Sequence, residues 1–122
     1  MVLVGGTSVM SQGIQNQLNA IGGREIVRAA GADRYATSAA VTAVGFATYT
    51  SPATYWATGA NFPDALAGIT LAAGKKSPIS LVRPSCLPSE VLSNAWRFGA
   101  DRVGILGGTG VVSTAVENLV RC

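Results

Sequence analysis

The 122-residue sequence contains no histidine. That removes Ser-His-Asp and Cys-His nucleophile pairs, HExxH zinc sites and the usual general base at neutral pH. Charge is scarce too: Lys, Arg, Asp and Glu make up 12% of residues against 48% hydrophobic ones. Disordered chains have the reverse balance, with too little apolar surface to offset chain entropy. A packed core is therefore expected, and the length suits one domain. Nine Lys and Arg against six Asp and Glu leave a net charge of +3, which favours an anionic partner. Yet the only basic pair, Lys75-Lys76, has no interleaved aromatics of the kind that stack bases, so nucleic acid is not the expected partner.

Long apolar runs are missing as well. Residues 35–63 carry no charge, but Gly45, Ser51, Pro52 and Gly59 interrupt them. No run reaches the roughly 20 residues of a membrane span. The chain opens on the strand-like Val2-Leu3-Val4 with no basic region, apolar segment or cleavage site before it, so an exported parent implies that this is a mature piece. Cysteine occurs twice, at Cys86 and Cys122, in no metal-site spacing, and neither a structural metal nor a cofactor is expected. The two thiols are either buried separately or bonded. Bonding is the expectation, because Cys122 is the last residue and a link to Cys86 ties down a fraying end.

What the sequence does contain is a repeat. Leu3-Val4-Gly5-Gly6-Thr7-Ser8-Val9-Met10-Ser11 returns as Ile105-Leu106-Gly107-Gly108-Thr109-Gly110-Val111-Val112-Ser113, with Ile14 matching Val116 and Asn16 matching Asn118. The single domain, 1–122, thus reads as the tail of a preceding repeat at 2–22 and one complete repeat at 24–122. Each copy is an apolar run, paired glycines, then Ser11 or Ser113 placed to cap a helix. The first helix carries Ile14, Leu18 and Ile21 and is stopped by Gly22 and Gly23; the second carries Val116, Leu119 and Val120.

The alternation continues between the copies. Strands are predicted at 3–5, 26–28, 54–58, 79–82 and 103–106. Helices are predicted at 34–46, from Pro63 to a stop at Gly74, and from Pro88 to a stop at Gly99. Strands alternating with helices through short turns argue for an α/β domain: one mainly parallel sheet of about five strands flanked by helices, Rossmann-like or Toprim-like in three layers.

In such a sheet the edge where strands end and helices begin favours anions. Three turns compete there: Gly5-Gly6-Thr7, Thr58-Gly59-Ala60-Asn61 and Gly107-Gly108-Thr109-Gly110. Each either cradles a phosphate or carboxylate, or is small only to permit a tight turn. None completes a nucleotide fingerprint. Asp33 and Asp64 are the remaining acid-base candidates, but Asp33 beside Arg34 reads as an ion-paired helix start, and Asp64 sits in a first turn where a carboxylate favours the dipole. No catalytic set is visible.

Three longer signatures resemble a known family. Ala30-Gly31-Ala32-Asp33-Arg34-Tyr35-Ala36-Thr37, then Ala57-Thr58-Gly59-Ala60-Asn61-Phe62-Pro63-Asp64-Ala65-Leu66-Ala67, then Leu106-Gly107-Gly108-Thr109 are similar to the successive signatures of the type 2 cell wall binding repeat. The resemblance covers the whole chain. It implies a secreted Gram-positive surface protein whose repeats, usually three, pack in a threefold arrangement and bind anionic secondary wall polymers non-covalently. The partner so implied is a wall polysaccharide or teichoic-acid-like polymer. The threefold arrangement would come from a homotrimer or from sister repeats. A family Pro-Ile-Leu-Leu segment linked to polymer binding corresponds to Pro78-Ile79-Ser80-Leu81, with Ser80 departing from it. Candidate contacts are Arg34, Lys75, Lys76 and Arg83 as cations flanking turns, with Asn61, Pro78, Ile79, Leu81, Gly107, Gly108 and Thr109. For Arg34 the competing reading is an ion pair with Asp33 or Asp64. The alternative function is a small nucleotide- or phosphate-binding enzyme that uses the glycine turns.

Overall fold

The computed structural model describes residues 1–23 and 25–122. Along them five strands alternate with five helices: β1 Val2–Val4, α1 Gln12–Gly22, β2 Val27–Ala29, α2 Arg34–Gly45, β3 Ala53–Thr58, α3 Pro63–Gly74, β4 Ile79–Val82, α4 Ser89–Arg97, β5 Arg102–Leu106 and α5 Thr114–Glu117. Every strand pairing is parallel, as expected of strands joined through helical crossovers.

The strands do not make one sheet of five. β1 pairs with β2 alone, and β4, β3 and β5 form a second sheet in that order. The reason lies at the outer edge of β4. Ser38 Oγ on α2 accepts from the Leu81 amide at 3.0 Å, so a helix side chain takes the edge donor that a further strand would need.

The three-stranded sheet is the middle of three layers. On one face Trp56, Val82 and Ile105 meet Ala39 of α2, Val91, Leu92 and Ala95 of α4, and Val112 and Val116. Trp56 is 1% exposed and Val82 and Val116 are fully buried, which marks this face as the main core. On the other face lies α3. Its Gly68 sits so close to Leu106 that a Cβ there would collide with that side chain.

Element ends depart from expectation where side chains or left-handed residues intervene. β1 runs one residue earlier than 3–5 because Gly5 leaves the strand at φ 112°. β2 starts at Val27 rather than 26, since the Ile26 amide donates to Asn19 Oδ1. β3 and β5 each begin one residue early. Gly22 belongs to α1 and only Gly23 takes the left-handed cap, φ 56°. Gly74 likewise stays helical, and the left-handed residue after α3 is Lys76, φ 50°.

The C-terminal helix is the largest departure. It ends at Glu117, so Leu119 and Val120 are not on it, and Leu119 turns left-handed at φ 57°. The cause is a competing partner: Leu87 donates to Val120 O at 2.8 Å and accepts from the Cys122 amide at 3.1 Å, while a Cys86–Cys122 disulfide with Cα atoms 5.0 Å apart secures the same tail. Ser113, expected to cap this helix, makes no cap bond and its hydroxyl is buried without a partner. Ser11 does cap α1, accepting from Ile14 N.

Candidate functional site

The strand-end edge of the molecule is organised by the start of α2. Asp33 caps that helix, accepting from the Ala36 amide at 2.8 Å, and its second oxygen pairs with Arg83 Nη2 at 2.9 Å. Arg83 therefore takes the partner expected for Arg34. Arg34 pairs with neither Asp33 nor Asp64; its Nη1 donates to the carbonyl of Gly59 at 2.7 Å. Helix geometry explains the exchange, because capping draws the Asp33 carboxylate back onto its own first turn while Arg34 projects outward from it. The Arg83 guanidinium also lies 4.5 Å from the centre of the Tyr35 ring, a cation–π contact.

Beside α2 a cleft of about 530 Å³ opens between the β1 glycine turn and β4, lined by Gly5, Gly6, Asp33, Arg34, Ile79 and Leu81 among others. The Gly6, Thr7 and Ser8 amides make no hydrogen bond among the described residues. Nor do Nε and Nη2 of Arg34. An anion at the mouth of this cleft would thus meet backbone donors and a guanidinium above an apolar floor.

Strand periodicity separates the members of the Pro78-Ile79-Ser80-Leu81 segment. Ile79 and Leu81 face the cleft. Ser80, two per cent exposed, points to the opposite face, with its hydroxyl 3.5 Å from that of Thr42. The residue at which the segment departs from the family pattern therefore belongs to the core, and the two that face the cleft keep aliphatic side chains. Pro78 is buried at the strand start, where its carbonyl accepts from Tyr55 N.

The other candidates lie elsewhere. Lys75 and Lys76 follow the C-terminal end of α3 and precede β4, at the strand-start edge opposite the glycine turns, where Lys75 shares a hollow with Arg102. Gly107, Gly108 and Thr109 follow β5, on the far side of β3 from β4, and Gly107 packs against Asp64 of α3. Asn61 is exposed in the loop before α3. Sequence reasoning did not single out Thr37, Ser38 and Val41, which line the cleft from α2. Their spacing of three, four and seven residues from Arg34 is the signal that they share its helical face.

Comparison with known proteins follows the same outline. The description of the Cell wall binding domain 2 (CWB2) family matches residues 28–117. The chain is 30% identical over 120 residues to the N-acetylmuramoyl-L-alanine amidase LytC of Bacillus subtilis (strain 168), covering 98% of itself and 23% of that protein. It thus spans under a quarter of that relative's length. Among solved structures it is similar to Cwp8 from Clostridium difficile, with a TM-score of 0.78 and 26% identity over 98% of this chain and 19% of that one. Cwp6 from the same organism shares the fold, with a TM-score of 0.81 at 20% identity over the same shares. With the family match extending over most of its length, this chain belongs to the cell wall binding domain 2 family.

Proposed function

We propose that this cell-wall-binding domain anchors a secreted carrier to the Gram-positive surface by non-catalytic, non-covalent binding of an anionic secondary wall polymer, a polysaccharide or teichoic-acid-like chain. The observation that carries the reading is the half-committed guanidinium of Arg34: Nη1 is held by Gly59, Nε and Nη2 make no hydrogen bond among the described residues, and Arg34 lines the cleft with Gly6 and Ser8 of the β1 turn, whose amides are unbonded. Arginine's planar fork suits phosphate or carboxylate. Ile79 and Leu81 offer the apolar surface on which sugar rings would rest, while Arg83, paired with Asp33, lines a separate hollow with Tyr35. Lys75 and Lys76, at the other edge, contribute only to the general positive field. Packing with sister repeats or in a homotrimer is supported by α3, where Leu66, Ile69 and Leu71, with Phe62 at the cap, are exposed.

Retention on purified Gram-positive cell walls tests the proposal. Rising salt should weaken retention, since screening reduces contacts between exposed charges. Arg34→Ala should weaken it as well. Because Arg34 also holds Gly59, Gly6→Glu is the cleaner variant: nothing lies within 4 Å of a Cβ built at Gly6, so the fold should be kept while a carboxylate enters the cleft mouth. Retention that ignores both salt and Gly6→Glu would place the polymer elsewhere.

A further inference from the structure

Two segments of this chain are copies in conformation as well as in sequence. Gly5 and Gly107 stand at φ 112° and 109°. After the first, Val9 and Met10 donate to Gly6 O at 3.0 and 2.9 Å; after the second, Val111 and Val112 donate to Gly108 O at 2.9 and 3.0 Å. At one constant displacement Leu3 corresponds to Ile105, Met10 to Val112, Ser11 to Ser113 and Gln15 to Glu117.

The first copy carries a strand along its edge. β2 lies parallel to β1, with Leu3 opposite Arg28 and Val4 opposite Ala29. Arg28 is the bolt of this joint. Its Nη1 donates to the carbonyls of Gly5 and Met10 at 2.6 and 2.8 Å, its Nε to Gln15 Oε1 at 3.0 Å, and its Nη2 to Ser11 O at 3.4 Å.

The second copy has no such strand among the described residues. β5 pairs with β3 on one side only. Against it opens a hollow of about 410 Å³ lined by Trp56, Val103, Ile105, Glu117 and Leu119. Among the described residues no hydrogen bond reaches the carbonyl of Gly107 or Val112, and Glu117 makes no salt bridge. The indole N–H of Trp56, buried and without an acceptor, belongs to a residue bordering the same hollow.

We infer that the free edge of β5 docks a β2-type strand of a neighbouring repeat: an extended, parallel, apolar segment carrying an arginine at the register of Arg28. By the register of the first copy, that arginine lies opposite Ile105 and reaches the carbonyls of Gly107 and Val112. Glu117 then replaces the amide of Gln15 with a carboxylate, and a charge-assisted bond to arginine is roughly twice as strong as a neutral one. Main-chain pairing supplies affinity and the arginine supplies register. One contact is not reproduced: Asn19, which accepts from the Ile26 amide, corresponds to Arg121, a residue bridged to Leu87. The inference is independent of what the cleft beside α2 binds.

The probe is a fluorescent peptide with the sequence of residues 25–31, titrated into the intact chain and followed by anisotropy. Saturable binding is expected. It should weaken about tenfold or more when the peptide arginine becomes glutamate, or when the protein carries Glu117→Arg; combining both changes should recover part of the loss, because the ion pair is restored while a glutamate cannot donate to the carbonyls of Gly107 and Val112. Glu117→Gln, which copies Gln15, should retain binding, and unfolding temperatures confirm that these exposed-site variants fold. No saturable binding up to about 1 mM peptide overturns the inference. So does equal binding by wild type and Glu117→Arg, the result expected if the peptide merely exchanges with the chain's own β2 on β1.

Discussion

Arg34 donates to the carbonyl of Gly59 at 2.7 Å, and Tyr35 beside it lays its ring against the same glycine. The loop after β3 is thereby held to the first turn of α2 from two sides. Arg83 closes the arrangement, stacking on Tyr35 and pairing with Asp33. The two longest signatures in the sequence are therefore halves of one latch, which explains why the small Gly59 accompanies the larger Arg34 and Tyr35.

Gly59→Ala should open this latch. A Cβ at Gly59 would stand 2.6 Å from Cε1 of Tyr35, so the ring must move and its stacking with Arg83 loosens. Overpacking of this kind costs about 1–3 kcal/mol. Urea denaturation measures the loss. In the Tyr35→Ala background the same glycine substitution should cost clearly less, and equal costs in both backgrounds would show that the ring is not the obstacle.

Removing the Cys86–Cys122 disulfide should be more damaging. The bond closes a loop of sequence separation 36, for which the chain-entropy account gives about 4 kcal/mol. The double variant Cys86→Ala, Cys122→Ala should therefore unfold at markedly lower denaturant. Wild type should converge on it when reductant is added. Alkylation of both thiols without reductant, read by intact mass, would contradict the bond.

The parts of the fold that could be read from the sequence are those fixed locally. Pro63 and Asp64 start α3, and Asp33 starts α2. The parts that could not be read depend on distant partners. Ser38 and Leu81, whose bond splits the sheet, lie 43 residues apart. Leu87 and Cys86 break the last helix from across the chain. For the candidate site, Arg34, Ile79 and Leu81 were identifiable and face one cleft. Lys75 and Lys76 also flank a turn, but flanking a turn does not distinguish the two edges of a parallel sheet.

Lys76→Gly should stabilise the protein. Lys76 holds φ 50° just beyond α3, where a side chain incurs a left-handed penalty of about 1 kcal/mol that glycine avoids. It is exposed, so little packing is lost. Glycine's greater freedom in the unfolded chain offsets part of the gain, leaving a few tenths of a kcal/mol upward. A fall in the denaturation midpoint would mean that the lysine side chain makes a contact of its own.

The two copies of the repeat give a paired test in which one substitution has opposite signs. Ser11 Oγ accepts from the Ile14 amide and satisfies one of the free donors at the start of α1, so Ser11→Ala should cost about 0.5–1 kcal/mol. Ser113 holds the matching position before α5, but its hydroxyl is buried with no partner, while its amide is engaged by the carbonyl of Pro84. A buried unsatisfied hydroxyl is itself destabilising, and its removal leaves the neighbouring methylene contacts in place. Ser113→Ala should consequently be neutral or stabilising, by up to about 1 kcal/mol. Denaturant midpoints of the two single variants decide the matter. If both variants lose stability equally, Ser113 caps α5 in solution as Ser11 caps α1, and the divergence between the copies is confined to residues after Glu117.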